Sequence, residues 1–384
     1  MRVLTLIDAF RMGGAETLLA PLATAARDAG IEMDFIGLSP ESTSSAETLT
    51  VLERANVRPR HLGVRRLLDP TALPRLVQEI RRSRCDVVHA HLEMAMTLGV
   101  PAAALTGRRT VCTFQTVVRD ELTGRAAKRE RLAVEMASRS HRVVFTSEAS
   151  RESFRRAYRP SRMPANWTVV YNCIDIADYA PGEADPVVRS ELGGATGPLV
   201  VLPATLREDK GVALAIEAWP SVLDRCPDAV LALVGGGELE PQLRALVAAR
   251  GLSRSVLFAG IRTDMPSVYR AADLVLVPSI HENLATVLME AAATERAVVA
   301  SRVGGIPEGV RDGQTAILFD RGDVEALANA VVTLLRDTDR RGRMAEAGRH
   351  WVHQQFSAQA WIHHLREVYE SATATPQRGR THRA

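Results

Sequence analysis

"DLVLVPSIHENLATVLMEAAATERAVVAS", residues 273–301, carries the pattern that decides the fold. "DLVLVPS" reads as a strand, "ATVLMEAAA" as a helix made of strong helix formers, and "AVVAS" as a second strand. Continuous apolar strands separated by a helix predict parallel pairing within a sheet covered on both faces. Two glutamates punctuate the unit: Glu282 on the loop after the first strand, and Glu290 two turns into the helix. Eight helical residues advance about 12 Å and rotate by roughly 80°, so the two carboxylates address different groups. A glycine pair, Gly304 and Gly305, follows the second strand.

The same alternation extends in both directions. "RVLTLI", "MDFIGL", "DVVHAH", "TVCTF", "RVVFTS" and "TVVYN" are strand candidates in the first half, and "LVVLPA", "AVLALVG", "SVLFAG" and "AILF" complete the second. Two such sets predict an α/β protein of two Rossmann-like, doubly wound domains. The expected boundaries are 1–180 and 181–355, with the Pro-, Gly- and acid-rich residues 176–198 as linker. A C-terminal helix at 356–371 is expected to pack back on the N-terminal domain, ahead of a disordered basic tail at 372–384. Ligands of open parallel sheets bind at the carboxyl ends of the strands, so two facing sheets predict an interdomain cleft.

With 46% hydrophobic and 24% charged residues, the 384-residue chain has the balance of a soluble globular protein. It contains no run of about 18 apolar residues that would span a membrane. The opening "MRVLTLIDAF" reads as a buried strand and lacks the features of a leader. Cys85, Cys112, Cys173 and Cys226 are scattered without a CxxC pair, which argues against zinc and disulfide frameworks and fits the cytoplasm. No metal site is expected, because no His/Asp/Glu cluster has ligand spacing.

Candidate binding residues lie on the loops that follow strands. Gly13 and Gly14 in "RMGGAETLL" allow a ligand close to the backbone at a helix N-terminus, or simply make a tight turn. Arg207 and Lys210 in "TLREDKGV" offer cations to a diphosphate leaving group, unless the loop is merely solvated charge. Only two of the 48 basic residues, Lys128 and Lys210, are lysines, which favours a function for Lys210. Gly235 sits in the turn "LVGGGELEPQL". Ile261 and Arg262 follow a strand end, where backbone groups can hydrogen-bond a nucleobase. The N–H groups of Leu284, Ala285, Thr286 and Val287 open a helix and can bind phosphate, with Glu282 before it and Glu290 beyond. A sugar nucleotide has that layout of sugar, diphosphate and ribose, although a helix with one capping and one solvated acid has the same spacing.

The succession "MGGAE", "HAH", "VVYNCID", "LREDKG", "VGGGE", "FAG", "ADLVLVPS", E-x7-E and "GGIPE" resembles the large retaining family 4 of the GT-B glycosyltransferases, from about residue 3 to 335. The resemblance implies that Glu290 binds the donor ribose, Glu282 holds hydroxyls of the transferred sugar, Lys210 contacts the diphosphate, and Gly14 packs against it from the other domain. It also implies retention without an essential metal or an enzymic nucleophile, the leaving phosphate oxygen taking the acceptor proton. The chain departs from the family pattern in several places. Thr205 stands where an arginine is usual, with Arg207 as a substitute cation, and Gln115 replaces a histidine that touches the donor sugar. Glu295 and Ala297 replace a glycine and a proline, Asn283 and Ala285 replace glycines, and Cys173 replaces another. Of the pair in "VVHAHL", His91 is expected to face the cleft.

The resulting expectation is a metal-independent retaining transferase moving a hexose of the mannose, glucose or N-acetylglucosamine type to a glycan or lipid-linked envelope acceptor. It needs no cofactor; the donor is a GDP-sugar or UDP-sugar. An epimerase of the same architecture and a non-catalytic sugar-nucleotide binder are the alternatives. Nine arginines stand against Asp69 and Glu79 between Arg54 and Arg84, and five against one acid in "RESFRRAYRPSR". This basic surface suggests an anionic membrane as a further partner, placing a cytoplasmic protein peripherally at the inner membrane face, or reflects arginine-rich composition alone. At 4% aromatics and with no base-reading module, nucleic acid is not an expected partner.

Overall fold

The computed structural model describes residues 1–11, 18–67, 69–118, 124–158 and 164–374. The chain divides into two compact units: Met1–Asn172 together with the stretch from Ala358 onward, and Cys173–Ser357. The first unit holds a seven-stranded sheet of β1 (Arg2–Ile7), β2 (Glu32–Gly37), β3 (Arg60–His61), β4 (Val87–His91), β5 (Arg109–Phe114), β6 (Arg142–Phe145) and β7 (Trp167–Val169) in the order β3-β2-β1-β4-β5-β6-β7. The second holds β8 (Leu199–Pro203), β9 (Val230–Val234), β10 (Val256–Gly260), β11 (Leu274–Val277), β12 (Ala297–Ser301) and β13 (Ile317–Phe319) in the order β10-β9-β8-β11-β12-β13. Every adjacent pair is parallel. In each sheet the strand order reverses once, between β1 and β4 and between β8 and β11. That reversal opens a crevice at the carboxyl ends of those two strands.

Alternation along each strand explains the continuous apolar runs. Leu274 and Leu276 of β11 join one core cluster with Trp219, Val299 and Leu327, while Val275 and Val277 join another with Tyr269, Leu288 and Ala300. Both faces are therefore covered, and each fully buried Val or Leu contributes about 1.5–3 kcal/mol relative to exposure. The first unit packs Leu4, Leu6, Val88 and Ala90 beneath the helix Glu93–Thr106. Its opposite face carries a polar contact: the Tyr369 hydroxyl meets His89 Nδ1 at 2.8 Å, and Thr113 Oγ1 meets His89 Nε2 at 2.7 Å. Tyr369 lies on the last helix, Ala358–Ala374, whose Ser371 also accepts from Arg142 Nε at 2.9 Å. This helix is thus part of the first unit.

Three boundaries differ from the sequence reading. The division falls at 172/173 rather than 180/181, and much of the expected linker belongs to the second unit. Asp185 caps the short helix Pro186–Glu191, Val188 and Leu192 enter the core, and Arg189 donates to Asp273 at 2.8 Å. The last helix runs to Ala374 rather than 371, and the remainder of the expected tail, from 375, lies outside the described residues. The edge strand β3 has only two residues, too few to leave a periodic signal.

Glu295 ends the helix Thr286–Ala293 in the left-handed region, at φ +60. Glu295 N donates to Ala292 O and Arg296 N to Ala291 O, both at 2.9 Å, the Schellman pattern that favours glycine. Glu295→Gly is expected to stabilise the protein by about 0.5–1 kcal/mol, the relief of left-handed strain outweighing glycine's added chain entropy. Urea unfolding checks this; an unchanged or lower midpoint contradicts it.

Candidate functional site

The crevice between β8 and β11 is built by loops that only glycine allows to meet. A Cβ on Gly211, at φ +63, would lie 2.0 Å from Pro278 O, and one on Gly235 would lie 2.0 Å from Ala204 O. On Gly304, a Cβ would fall 1.7 Å from Glu282 O. Polar bonds complete the bracing. Asp209 O accepts from Ile280 N at 2.8 Å, Asn283 O from Gly305 N at 2.7 Å, and Ser279 O from Ser301 Oγ at 2.5 Å. The purpose of the glycine pair that follows β12 is thereby clear: it brings the turn after β12 against the backbone of the Glu282 loop.

Within this frame Lys210 Nζ lies 2.6 Å from Glu282 Oε2, although the residues are 72 positions apart. The side chains retain 22% and 15% exposure, enough for a ligand to reach them while water is largely excluded. Glu282 Oε1 also accepts from Asn283 N at 3.1 Å. Removing either partner leaves the other charge poorly compensated. Arg207 is differently engaged: its guanidinium makes two bonds to Asp209, at 2.8 and 3.1 Å, so its charge is offset on its own loop beside the exposed Thr205.

The helix Thr286–Ala293 starts at Ala285 without a side-chain cap, leaving its first N–H groups suited to an anion. Asn283, Leu284 and Ala285 are buried, and Thr286 and Val287 partly so. Glu290 accepts the Tyr269 hydroxyl at 2.6 Å and a hydrogen bond from the Thr286 side chain. Burial pushes its carboxyl above the ordinary carboxylate range, and both hydrogen bonds oppose that rise. Ile261 is 71% exposed beside the glycine turn, where a Cβ on Gly236 would lie 3.3 Å from its side chain. Arg262 is committed elsewhere, to Asp264 at 2.6 Å and Glu191 at 2.7 Å, which leaves its backbone rather than its guanidinium at the loop.

The remaining candidates belong to the first unit. His91 ends β4 with both ring nitrogens unpartnered among the described residues, and burial lowers its pKa to about 4, so it is neutral at pH 7. Gln115 follows β5 and accepts from Asn172 Nδ2 at 3.0 Å. Gly13 and Gly14 lie outside the described residues. Among the described residues no group of three or more His, Cys, Asp or Glu is placed to hold a metal, and no helix is long and apolar enough to cross a membrane. Sequence reasoning missed Tyr269, Asp209 and Ser301. Only Tyr269 left a signal: a tyrosine in the apolar stretch "VYRAADLVLV" must find a partner for its hydroxyl once buried.

Two doubly wound parallel sheets, with an acid–lysine pair at the switch point of the second, define the GT-B glycosyltransferase architecture. Comparison with known proteins agrees. Residues 12–178 match the description "Glycosyltransferase Family 4", and residues 197–337 match "Glycosyl transferases group 1". The alpha-D-kanosaminyltransferase of Streptomyces kanamyceticus is 30% identical over 70% of this chain and 73% of its own length. The GDP-mannose-dependent alpha-(1-6)-phosphatidylinositol monomannoside mannosyltransferase of Mycolicibacterium smegmatis is 34% identical over 55% of this chain; that match spans only 57% of the relative. Anabaena HepE, solved with UDP-glucose, superposes with a TM-score of 0.84 at 26% identity, covering 97% of this chain and all of that one. The chain belongs to family 4 of the glycosyltransferases.

Gly304→Ala is expected to lower stability by about 2 kcal/mol or more, because its methyl group must displace the Glu282 carbonyl. Gly313, at φ +73 with nothing within 4 Å of a built Cβ, isolates the backbone term, so Gly313→Ala should cost about 1 kcal/mol. Equal losses in urea unfolding reject the bracing role of Gly304.

Proposed function

We propose that the chain transfers a hexose of the mannose, glucose or N-acetylglucosamine type from a GDP-sugar or UDP-sugar to a glycan or lipid-linked acceptor, with retention, without metal and without a further cofactor. The observation that carries this reading is the Lys210–Glu282 pair at the switch point, eight residues before Glu290. A donor laid along these groups puts its sugar by Glu282, its diphosphate by Lys210 and the helix start at Thr286, and its ribose by Glu290. Ile261 and the Arg262 backbone then meet the base, and Gly235 lies in the neighbouring turn. Binding draws Lys210 from Glu282 toward the phosphates, so the lysine's charge offsets the charge that develops as the diphosphate departs. The acceptor oxygen attacks on the same face, and its proton passes to the leaving phosphate oxygen. In the same reading Gly14 is assigned to the diphosphate, Gln115 to the donor sugar and His91 to the reacting centre. The UDP-glucose complex of HepE and the GDP-mannose dependence in the mycobacterial relative's name support a nucleotide-sugar donor of one of these two kinds.

A thermal-shift screen with UDP-, GDP- and ADP-sugars identifies the donor; at 100 times its Kd a ligand stabilises by about 2.7 kcal/mol. Lys210→Ala should lower turnover of that donor about a hundredfold, the usual effect of losing a preorganised charge partner. Glu290→Ala should weaken the bare nucleoside diphosphate, whereas Glu282→Ala should damage transfer and leave nucleotide affinity nearly intact. Calorimetry separates the two, and a reversed order rejects the assignment. Activity should survive chelation.

The acceptor side includes, in this proposal, an anionic membrane surface. Several of the relevant arginines are already paired, Arg60 and Arg82 with Glu79 and Arg155 and Arg156 with Glu152, while residues 159–163 lie outside the described region. Each unpaired basic side chain near an anionic bilayer adds about 1 kcal/mol, so five or six give reversible attachment. Cosedimentation with phosphatidylglycerol vesicles should be strong at low salt and lost at high salt. No binding at low salt removes the membrane from the proposal.

A further inference from the structure

We propose that Tyr269 is a positioning residue for the donor, its hydroxyl holding the Glu290 carboxylate in the orientation that meets the ribose of a bound nucleoside diphosphate. This rests on the donor-site reading above. Tyr269 is fully buried on the helix Met265–Ala271, and its hydroxyl donates to Glu290 Oε2 at 2.6 Å. Thr286, one turn before Glu290, supplies a second side-chain hydrogen bond. An ionised carboxylate only accepts, through about four lone-pair positions. Two fixed donors on the protein side therefore set its plane and leave the remaining positions for the ribose hydroxyls, which donate.

The phenol is itself held from the far end of the carboxylate's helix. Arg296, just beyond Thr286–Ala293, donates through Nε to Tyr269 O and through Nη2 to Arg270 O, both at 3.0 Å. The two helices are thus joined twice, at Tyr269–Glu290 and at Arg296. Tyr179 flanks the pair, its ring centroid 6.0 Å from that of Tyr269.

This arrangement has a pH signature. Among the described residues the titratable groups facing Glu290 are the two phenols, Tyr269 and Tyr179, with Asp175 and Asp178 beyond Tyr179. Both phenols are pushed upward by burial and stay neutral throughout the neutral range. Burial raises Glu290, and the Tyr269 hydrogen bond opposes that rise. Ribose binding that needs the carboxylate is present above the Glu290 pKa and fades as pH falls through it. Removing the Tyr269 hydroxyl moves that fading to higher pH.

The test is calorimetry of UDP, GDP and their 2′-deoxy forms between pH 5.5 and 7.5. The ratio of ribo to 2′-deoxy affinity cancels titration of the phosphates. The wild-type chain should prefer the ribo form of whichever nucleotide it binds. Tyr269→Phe should weaken that form about tenfold at pH 7.5, the 2′-deoxy form by less, and the loss of preference should deepen toward pH 5.5. Glu290→Gln carries no titrating group, so its ratio should be flat with pH, and so should that of Tyr269→Phe/Glu290→Gln. If the wild type binds neither nucleotide, or does not distinguish ribo from 2′-deoxy, the donor-site reading itself fails. If the wild type distinguishes them and Tyr269→Phe keeps both the preference and its pH profile, the role of Tyr269 is overturned. Glu290→Gln retaining the wild-type profile overturns it independently, whether or not the phenylalanine variant folds.

Discussion

The site depends on backbone touching backbone at the carboxyl ends of β8, β9, β11 and β12. The turns after β8 and β11 meet at Gly211, those after β8 and β9 at Gly235, and those after β11 and β12 at Gly304. Side chains at these positions would force the turns apart by an ångström or more, and the Lys210–Glu282 contact would open with them. Preorganisation here is a steric property of missing atoms. The polar groups then operate in a frame that does not need to move for them to meet, which is where electrostatic stabilisation of a leaving group is most effective.

Opposite charge at close range has a second consequence. Glu282 and Lys210 neutralise one another at 2.6 Å. In the proposed complex the diphosphate draws the ammonium toward itself, and the carboxylate released from the lysine accepts from sugar hydroxyls. In this proposal one contact serves both halves of the donor. The interaction is part-exposed, so the exchange does not strand a charge in a dry interior.

Much of this was legible in the residues. Twelve of the thirteen strands among the described residues announce themselves, because both faces of a parallel sheet are covered and the apolar run is unbroken; β3, with two residues, has no run to read. The E-x7-E spacing and the rarity of lysine single out Glu282, Glu290 and Lys210. What spacing does not encode is partnership. That Arg207 turns to Asp209, that Arg262 turns to Asp264 and Glu191, and that Tyr269 reaches Glu290 are outcomes of tertiary packing across loops and helices. The helix at 186–191 was obscured by its own cap and flanks, since Asp, Pro and Gly mark linkers as readily as helix starts.

The last helix has a consequence for the order of events during synthesis. Residues 173–357 are contiguous and emerge from the ribosome as one finished unit, whereas the unit that begins the chain is completed only when Ala358–Ala374 arrives. Until then the buried face of β4 lacks Tyr369, and the His89 ring lacks the hydroxyl on its Nδ1 side. The half made first is therefore the half finished last. Its apolar and polar surface under that helix stays open to water, or to a chaperone, for the whole time taken to translate residues 173–357.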